Sequence, residues 1–365
     1  MSATSAGQMR TSAVWSDPAP ESWGISPQPR ITGLAIADLG PSVSQEDVLA
    51  HLGLEGDEFA EGIFARSGVR RRNLNLSEDF LGRTLQGRSA QVEDELLANG
   101  IAAVDQLGLD PARVGTVVSA SLYSLGCPTL AQRLVEHYEM PPTTDRYHLV
   151  GVGCASAVPL MRLAAQSLLE QPGKQALVVA ADSMSSILMP AGGDDPRAKT
   201  VGSAIFGDGC AAAALSRDGA GGPVILATQV HQIGDTLGAV SLALQPEDSY
   251  LHLARELPDL AAVGLAELVR AFLRRGGVDH ATIDHWMVHP GGKRIIESVR
   301  DALDLSQDDV ATSWDALANR GNTGTPSIFY VLKGTEEQRA PSPGELGLMV
   351  TIGPGVTVGL MLLRW

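Results

Sequence analysis

Cys154 stands where sulfur chemistry is possible. It follows Gly151-Val152-Gly153 at the end of a short apolar run and opens a long helical stretch. Backbone N–H groups and the helix dipole at such a place favour a thiolate, so a lowered pKa is expected. Its neighbours Gly153, Ala155 and Ser156 are small and leave room for a substrate. A free cysteine can equally be a small core residue; Cys127 and Cys210 have no comparable helix start. A thiolate nucleophile needs a base or cation beside it. Among eight histidines, His289 is best placed, because it ends the strand-like His285–His289 and precedes the turn Pro290-Gly291-Gly292. Asn322, in Arg320-Gly321-Asn322-Thr323-Gly324-Thr325, could donate to an oxygen that becomes negative during a reaction. An ordinary turn or helix cap is the alternative for that residue.

Other chemistries fit less well. His285 and His289 are four apart, but on a strand that is about 13 Å, too far for one metal ion. Gly151-Val152-Gly153-Cys154-Ala155-Ser156 imitates a dinucleotide fingerprint, with Asp182 ending the next strand, and would make the chain an NAD(P)-binding oxidoreductase. Ser replaces the third glycine, and Asp182 lies 31 residues beyond Gly151 where about 20 is usual. No phosphate-binding Gly-Lys-Ser/Thr loop and no Gly-x-Ser-x-Gly elbow occurs. A run of arginines, Arg66, Arg70, Arg71 and Arg72, suits a phosphate-bearing ligand or an acidic carrier protein; a solvated charged face is the alternative.

The elements that must hold these residues alternate. Strands are expected at Ile31–Asp38, Thr116–Ser121, Tyr147–Val152, Ala176–Ala181, Cys210–Ser216 and Trp286–His289. Helices are expected at Ser44–Leu52, with Ser44 as N-cap, and at Gln91–Gln106, Thr129–Tyr138, Ala155–Glu170, Lys293–Leu303 and Pro326–Leu332. This alternation argues an α/β fold with a mainly parallel, doubly covered sheet. Leu346–Leu363 carries no charge, yet Gly353-Pro354-Gly355 interrupts it, which favours two buried strands over a membrane helix. The order of elements repeats: Asn322 precedes its helix as Cys154 does, with a seam near Asp218–Pro223.

Composition agrees with a globular chain. Of 365 residues, 44% are hydrophobic and 19% charged, and the net charge is −15 with only 4% aromatics. That balance disfavours nucleic-acid binding. Three scattered cysteines form no disulfide framework and fit a reducing cytoplasm. Residues 1–30 read as a flexible arm without a signal-peptide core.

Five stretches, in order, resemble the thiolase-fold condensing enzymes: Gly153-Cys154-Ala155, Val201-Gly202-Ser203-Ala204-Ile205-Phe206-Gly207-Asp208-Gly209, His289-Pro290-Gly291-Gly292, Gly321-Asn322 and Gly353-Pro354-Gly355-Val356-Thr357. The chain is most similar to type III polyketide synthases of the chalcone synthase kind. Arg66-Ser67-Gly68-Val69-Arg70 looks more like a ketoacyl synthase III. The resemblance covers about residue 31 to 365. It implies a thiolase-like five-layer αβαβα fold of two duplicated halves, 31–217 and 218–365. It also implies a homodimer, no metal and no tightly bound cofactor. Cys154 would accept the acyl group, with His289 and Asn322 as partners. Phe206 falls on an aromatic gatekeeper position and Leu251 on a second one that is Phe in plant enzymes, so this chain departs there. Arg66 and Arg70–Arg72 would map near the residues that hold coenzyme A phosphates. The implied activity is decarboxylative Claisen condensation of acyl thioesters, delivered on coenzyme A or on an acyl carrier protein. Joining two carrier-bound chains, or acyl transfer without C–C bond formation, remain alternatives.

Overall fold

The computed structural model describes residues 28–124, 126–188, 196–243 and 250–365; most of the proposed arm at 1–30 lies outside them. Nine strands form one sheet. From one edge they run His285–Val288, Leu346–Gly353, Thr357–Arg364, Val224–Gln232, Arg30–Ile36, Gly209–Ser216, Gln175–Asp182, Val114–Ser121 and Asp145–Val150. Numbered by sequence within residues 28–216, the first half has the order 1-5-4-2-3. The second half has the same order with its third strand missing. Within the sheet, the pair Arg30 and Val224 joins the two halves.

The sheet is mixed and not mainly parallel, since five of its eight pairings are antiparallel. Val114–Ser121 and Gly209–Ser216 are buried at every position. A strand buried on both faces reads the same whichever way its neighbour runs, so the pattern gives burial but not direction. The uncharged segment is the expected antiparallel pair, Leu346–Gly353 on Thr357–Arg364, and no helix among the described residues is long and apolar enough to cross a membrane.

Side-chain alternation builds the layers. In Gln175–Asp182, Ala176, Val178 and Ala180 face one core, whereas Leu177, Val179 and Ala181 face another under the helices Leu85–Asp105 and Leu130–His137. In Thr357–Arg364, Met361 and Leu363 join the first core. Leu360 and Leu362 instead pack under the helices Leu265–Arg275 and Lys293–Ala302. The shared core holds two helices, Ala157–Glu170 and Ser327–Gln338. The first buries seven of its fourteen side chains and the second is buried from Ser327 to Leu332, as central helices must be. The result is helices, half-sheet, central helices, half-sheet, helices, the expected five layers. Both central helices begin beside one cavity, directly after Cys154 and Asn322 respectively.

Candidate active site

Cys154 sits in a single tight turn, Gly153–Ala155, between the edge strand Asp145–Val150 and the helix Ala157–Glu170. Gly153 has φ 61°, and a Cβ there would meet Pro354 at 2.9 Å. Only glycine lets the Gly353-Pro354-Gly355 turn close over the cysteine. His289 continues its strand by donating its N–H to Val350 O at 2.9 Å. Its ring is 1% exposed and neither ring nitrogen has a partner. An orphaned buried imidazole in a cavity is unusual and marks a group kept for a ligand or a reaction.

Asn322 is oriented by its neighbours. Its Oδ1 accepts from Gly324 N at 3.0 Å, from Ser327 Oγ at 3.3 Å and from Cys154 Sγ at 3.7 Å. A backbone N–H is always a donor, so the atom facing Gly324 is the oxygen. The amide Nδ2 therefore points the other way, where it contacts Gly291 O at 3.3 Å. Backbone bonds lash this loop to the end of the helix Pro196–Ile205, beside Phe206: Asn322 N donates to Ile205 O at 2.7 Å and Gly207 N to Asn322 O at 3.0 Å.

Cys154, His289 and Asn322, far apart along the chain, line one cavity of about 50 Å³. Phe206 and Leu251 line it too, 5% and 7% exposed. Sequence reasoning missed the remaining walls, among them Leu122, Met184, Val240, Ile295 and Ile352. Their apolar types carry no signal that separates a cavity wall from a core.

The electrostatics overturn one expectation. The Cys154 thiol is not lowered. Burial pushes it up to about 12, the nearby Asp182 charge adds to this, and its own backbone N–H opposes it only in part. Loss of water outweighs one turn of helix dipole. Burial pushes the His289 imidazole down to about 3. Each group resists charging alone. Moving the proton from Sγ to the imidazole charges both at once and leaves the pair neutral overall. The site thus favours a joint proton transfer over ionisation of either group alone.

Two family descriptions match the chain: "FAE1/Type III polyketide synthase-like protein" over residues 42–230 and "Chalcone and stilbene synthases, C-terminal domain" over residues 224–365. The chain belongs to the type III polyketide synthase family. It is 30% identical to the 1,3,6,8-tetrahydroxynaphthalene synthase of Streptomyces peucetius subsp. caesius over 313 residues, 82% of this chain and 81% of that one. It is 27% identical to the 3,5-dihydroxyphenylacetyl-CoA synthase of Streptomyces toyocaensis, over 93% of this chain and 90% of that one. Crystalline PKS-I from the brown alga Ectocarpus siliculosus superposes with a TM-score of 0.83 at 26% identity, covering 92% of this chain and 98% of that one. As a type III polyketide synthase, the protein is an acyltransferase that forms carbon–carbon bonds by condensation in secondary-metabolite biosynthesis. It uses acyl-CoA substrates without a tightly bound cofactor.

The arginine run of this synthase divides. Arg66, Arg70 and Arg71 are exposed. Arg72 is 0% exposed and donates to the carbonyls of Ala204 at 2.6 Å and Ser203 at 2.5 Å. Burial brings its guanidinium down to about 9. It braces the Phe206 segment and cannot reach a phosphate in solvent. The dinucleotide reading fails at Asp182, which is 2% exposed and accepts from Leu122 N and Thr325 N, leaving nothing for a ribose.

Proposed function

We propose that Cys154 is the acyl-accepting nucleophile of this synthase, His289 its proton acceptor, and His289 with Asn322 the donors that hold the enolate of a malonyl-type extender. The convergence of these three side chains on one cavity carries the reading.

In the first half-reaction the Cys154 proton passes to His289 as sulfur attacks the thioester carbonyl. The coenzyme A thiolate leaves and takes the proton from the imidazolium. The free imidazole is then ready for the extender. Carbon dioxide leaves the malonyl group and its bonding pair becomes an enolate. Nδ2 of Asn322 and a ring N–H of His289 supply hydrogen bonds where that charge develops. The enolate carbon attacks the acyl-Cys carbonyl, sulfur departs, and a β-ketoacyl thioester forms.

Phe206 and Leu251 are proposed as the gate of the acyl chamber, which favours compact acyl groups in a cavity of about 50 Å³. The exposed Arg66, Arg70 and Arg71 are proposed to meet the phosphates of coenzyme A or an acidic carrier protein. We assign the halves to 31–217 and 218–365 and propose a homodimer, for which the edge strand Asp145–Val150 offers an open ladder with Tyr147 and Val150 exposed.

Intact-protein mass spectrometry after incubation with acyl-CoA tests the core of this. Wild type gains one acyl mass and Cys154→Ala gains none. Acyl loading of the variant would remove the nucleophile assignment.

A further inference from the structure

A side-chain amide has four hydrogen-bonding positions, two lone pairs on oxygen and two N–H groups on nitrogen. At Asn322 three of them are filled by the protein. Oδ1 accepts from Gly324 N at 3.0 Å and from Ser327 Oγ at 3.3 Å, and Nδ2 donates to Gly291 O at 3.3 Å. The Cys154 contact, at 3.7 Å, is the longest and comes to an oxygen that already holds two donors. One N–H is left for the cavity that Asn322 lines. Gly324 N, always a donor, favours this orientation from one side. On the other side stands a hydroxyl, which can donate or accept.

Two buried hydroxyls set the direction. Ser327 and Thr323 are both 0% exposed. Ser327 Oγ accepts from Thr323 N at 2.7 Å and lies 3.0 Å from Thr323 Oγ1. Among the described residues Thr323 Oγ1 has no other partner, so its proton is paired only when it points at Ser327. Both lone pairs of Ser327 are then filled, and its own proton goes to Asn322 Oδ1. Were the amide turned over, Nδ2 would meet two donors, Gly324 N–H and Ser327 O–H. Space for the Thr323 hydroxyl comes from Gly209, where a Cβ would lie 2.8 Å from Oγ1.

We propose that Ser327 is a positioning residue of the condensation step: with its lone pairs filled by Thr323, its hydroxyl proton locks the Asn322 amide so that an N–H faces the enolate. The proposal rests on the reading of Asn322 as an enolate donor. Ser327 does not itself line the cavity, so it acts through Asn322. A side chain that only supported the loop would behave differently. Its loss would lower acyl loading and decarboxylation together, and would weaken an enzyme without the amide just as much.

The experiment is a double-mutant cycle on the full chain, read as carbon dioxide release from malonyl-CoA, with acyl loading followed by mass and folding checked by denaturant unfolding. Ser327→Ala should lower kcat for decarboxylation about fivefold to tenfold, the worth of one hydrogen bond. KM for malonyl-CoA and the rate of acyl loading should stay within about twofold of wild type, the margin for uncoupled sites. In an Asn322→Ala background the same change should cost less than about twofold, because no amide remains to be held. Thr323→Val keeps the shape at 323 and the bond from its N–H, and frees one lone pair of Ser327. It should lower kcat about twofold to fivefold, a fraction of one hydrogen bond, and leave loading alone. A Ser327→Ala kcat within about twofold of wild type, an equal loss of loading, or the full loss repeated without the amide each overturns the proposal. Should Ser327→Ala fail to fold, Thr323→Val decides, and an unchanged kcat there overturns it. Wild-type decarboxylation by Asn322→Ala alone would instead remove the donor reading, so the two failures are distinguishable.

Discussion

Replacing Asn322 by Ala separates the two half-reactions. Oδ1 is occupied by Gly324 N, Ser327 Oγ and the Cys154 thiol, whereas Nδ2 faces the cavity side at Gly291. Truncation therefore removes one of two proposed enolate donors and leaves the thiol–imidazole pair in place. By the precedent of a deleted oxyanion donor, about 3–4 kcal/mol of transition-state stabilisation is lost, or roughly a hundredfold to a thousandfold in rate. The assay is carbon dioxide release from malonyl-CoA, with acyl loading followed by mass in parallel. Decarboxylation should fall by that factor while loading changes by only a few-fold. The variant also leaves the buried Gly324 N–H without its acceptor, at about 1–3 kcal/mol of stability. Denaturant unfolding must accordingly show a folded population before rates are compared. Decarboxylation within a few-fold of wild type would refute the donor role. Loading lost in step with decarboxylation would refute the separation, and would make Asn322 a prop for Cys154 instead.

Acyl loading by wild type should vary little between pH 7 and 9, because Cys154 is pushed up to about 12 and His289 down to about 3. In stopped-flow release of coenzyme A, a steep inflection near pH 8 would contradict a pair that keeps one proton across this range. His289→Ala should load at least about a hundredfold slower at pH 7.5, the lower bound for a lost general base. Its rate should then climb with pH as the isolated thiol ionises. Arg72→Ala should lose stability by several times the roughly 0.5 kcal/mol ceiling of an ordinary surface change, because the carbonyls of Ser203 and Ala204 lose their buried donor. Arg66→Ala should unfold like wild type in the same urea titration and instead raise KM for acyl-CoA. Equal effects of the two on stability would contradict the division of the arginine run.

The parts of this architecture written locally were legible. Ser44 accepts from Asp47 N while Asp47 accepts from Ser44 N, a complete capping box around the first helix. Gly353-Pro354-Gly355 could only be a turn, and it joins the two terminal strands. Cys154, His289 and Asn322 each ended or opened an element, and the structure brings them to one cavity. What failed depended on distant partners. Arg72 differs from Arg71 only in the face of a two-residue strand on which it lies, and that strand pairs with Val43–Ser44. The strand Val224–Gln232 was overlooked because His231, Gln229 and Gln232 dilute its apolar pattern. Asp182 looked like a ribose acid because its donors Leu122 N and Thr325 N come from 60 and 143 residues away. The Cys154 shift is misjudged because helix position is local, whereas burial comes from walls of both halves, Leu122 and Phe206 in the first and His289, Asn322 and Pro354 in the second.

The repeated strand order explains why those distant partners meet. Val114–Ser121 is the second strand of its half and leads into Leu122; His285–Val288 is the second strand of the other half and leads into His289. Gln175–Asp182 and Leu346–Gly353 are both fourth strands, ending at Asp182 and Gly353. Cys154 and Asn322 precede the two central helices. Strand C-termini and helix N-termini from both halves thus converge, the place where open α/β sheets bind ligands and where backbone N–H groups favour negative charge. At each equivalent pair the two halves differ in chemistry: Leu122 against His289, Asp182 against Gly353, thiol against amide. A reaction that makes a thiolate and then an enolate needs unlike groups around one point. Equivalent positions of the two halves therefore carry unlike groups around the cavity where the halves meet.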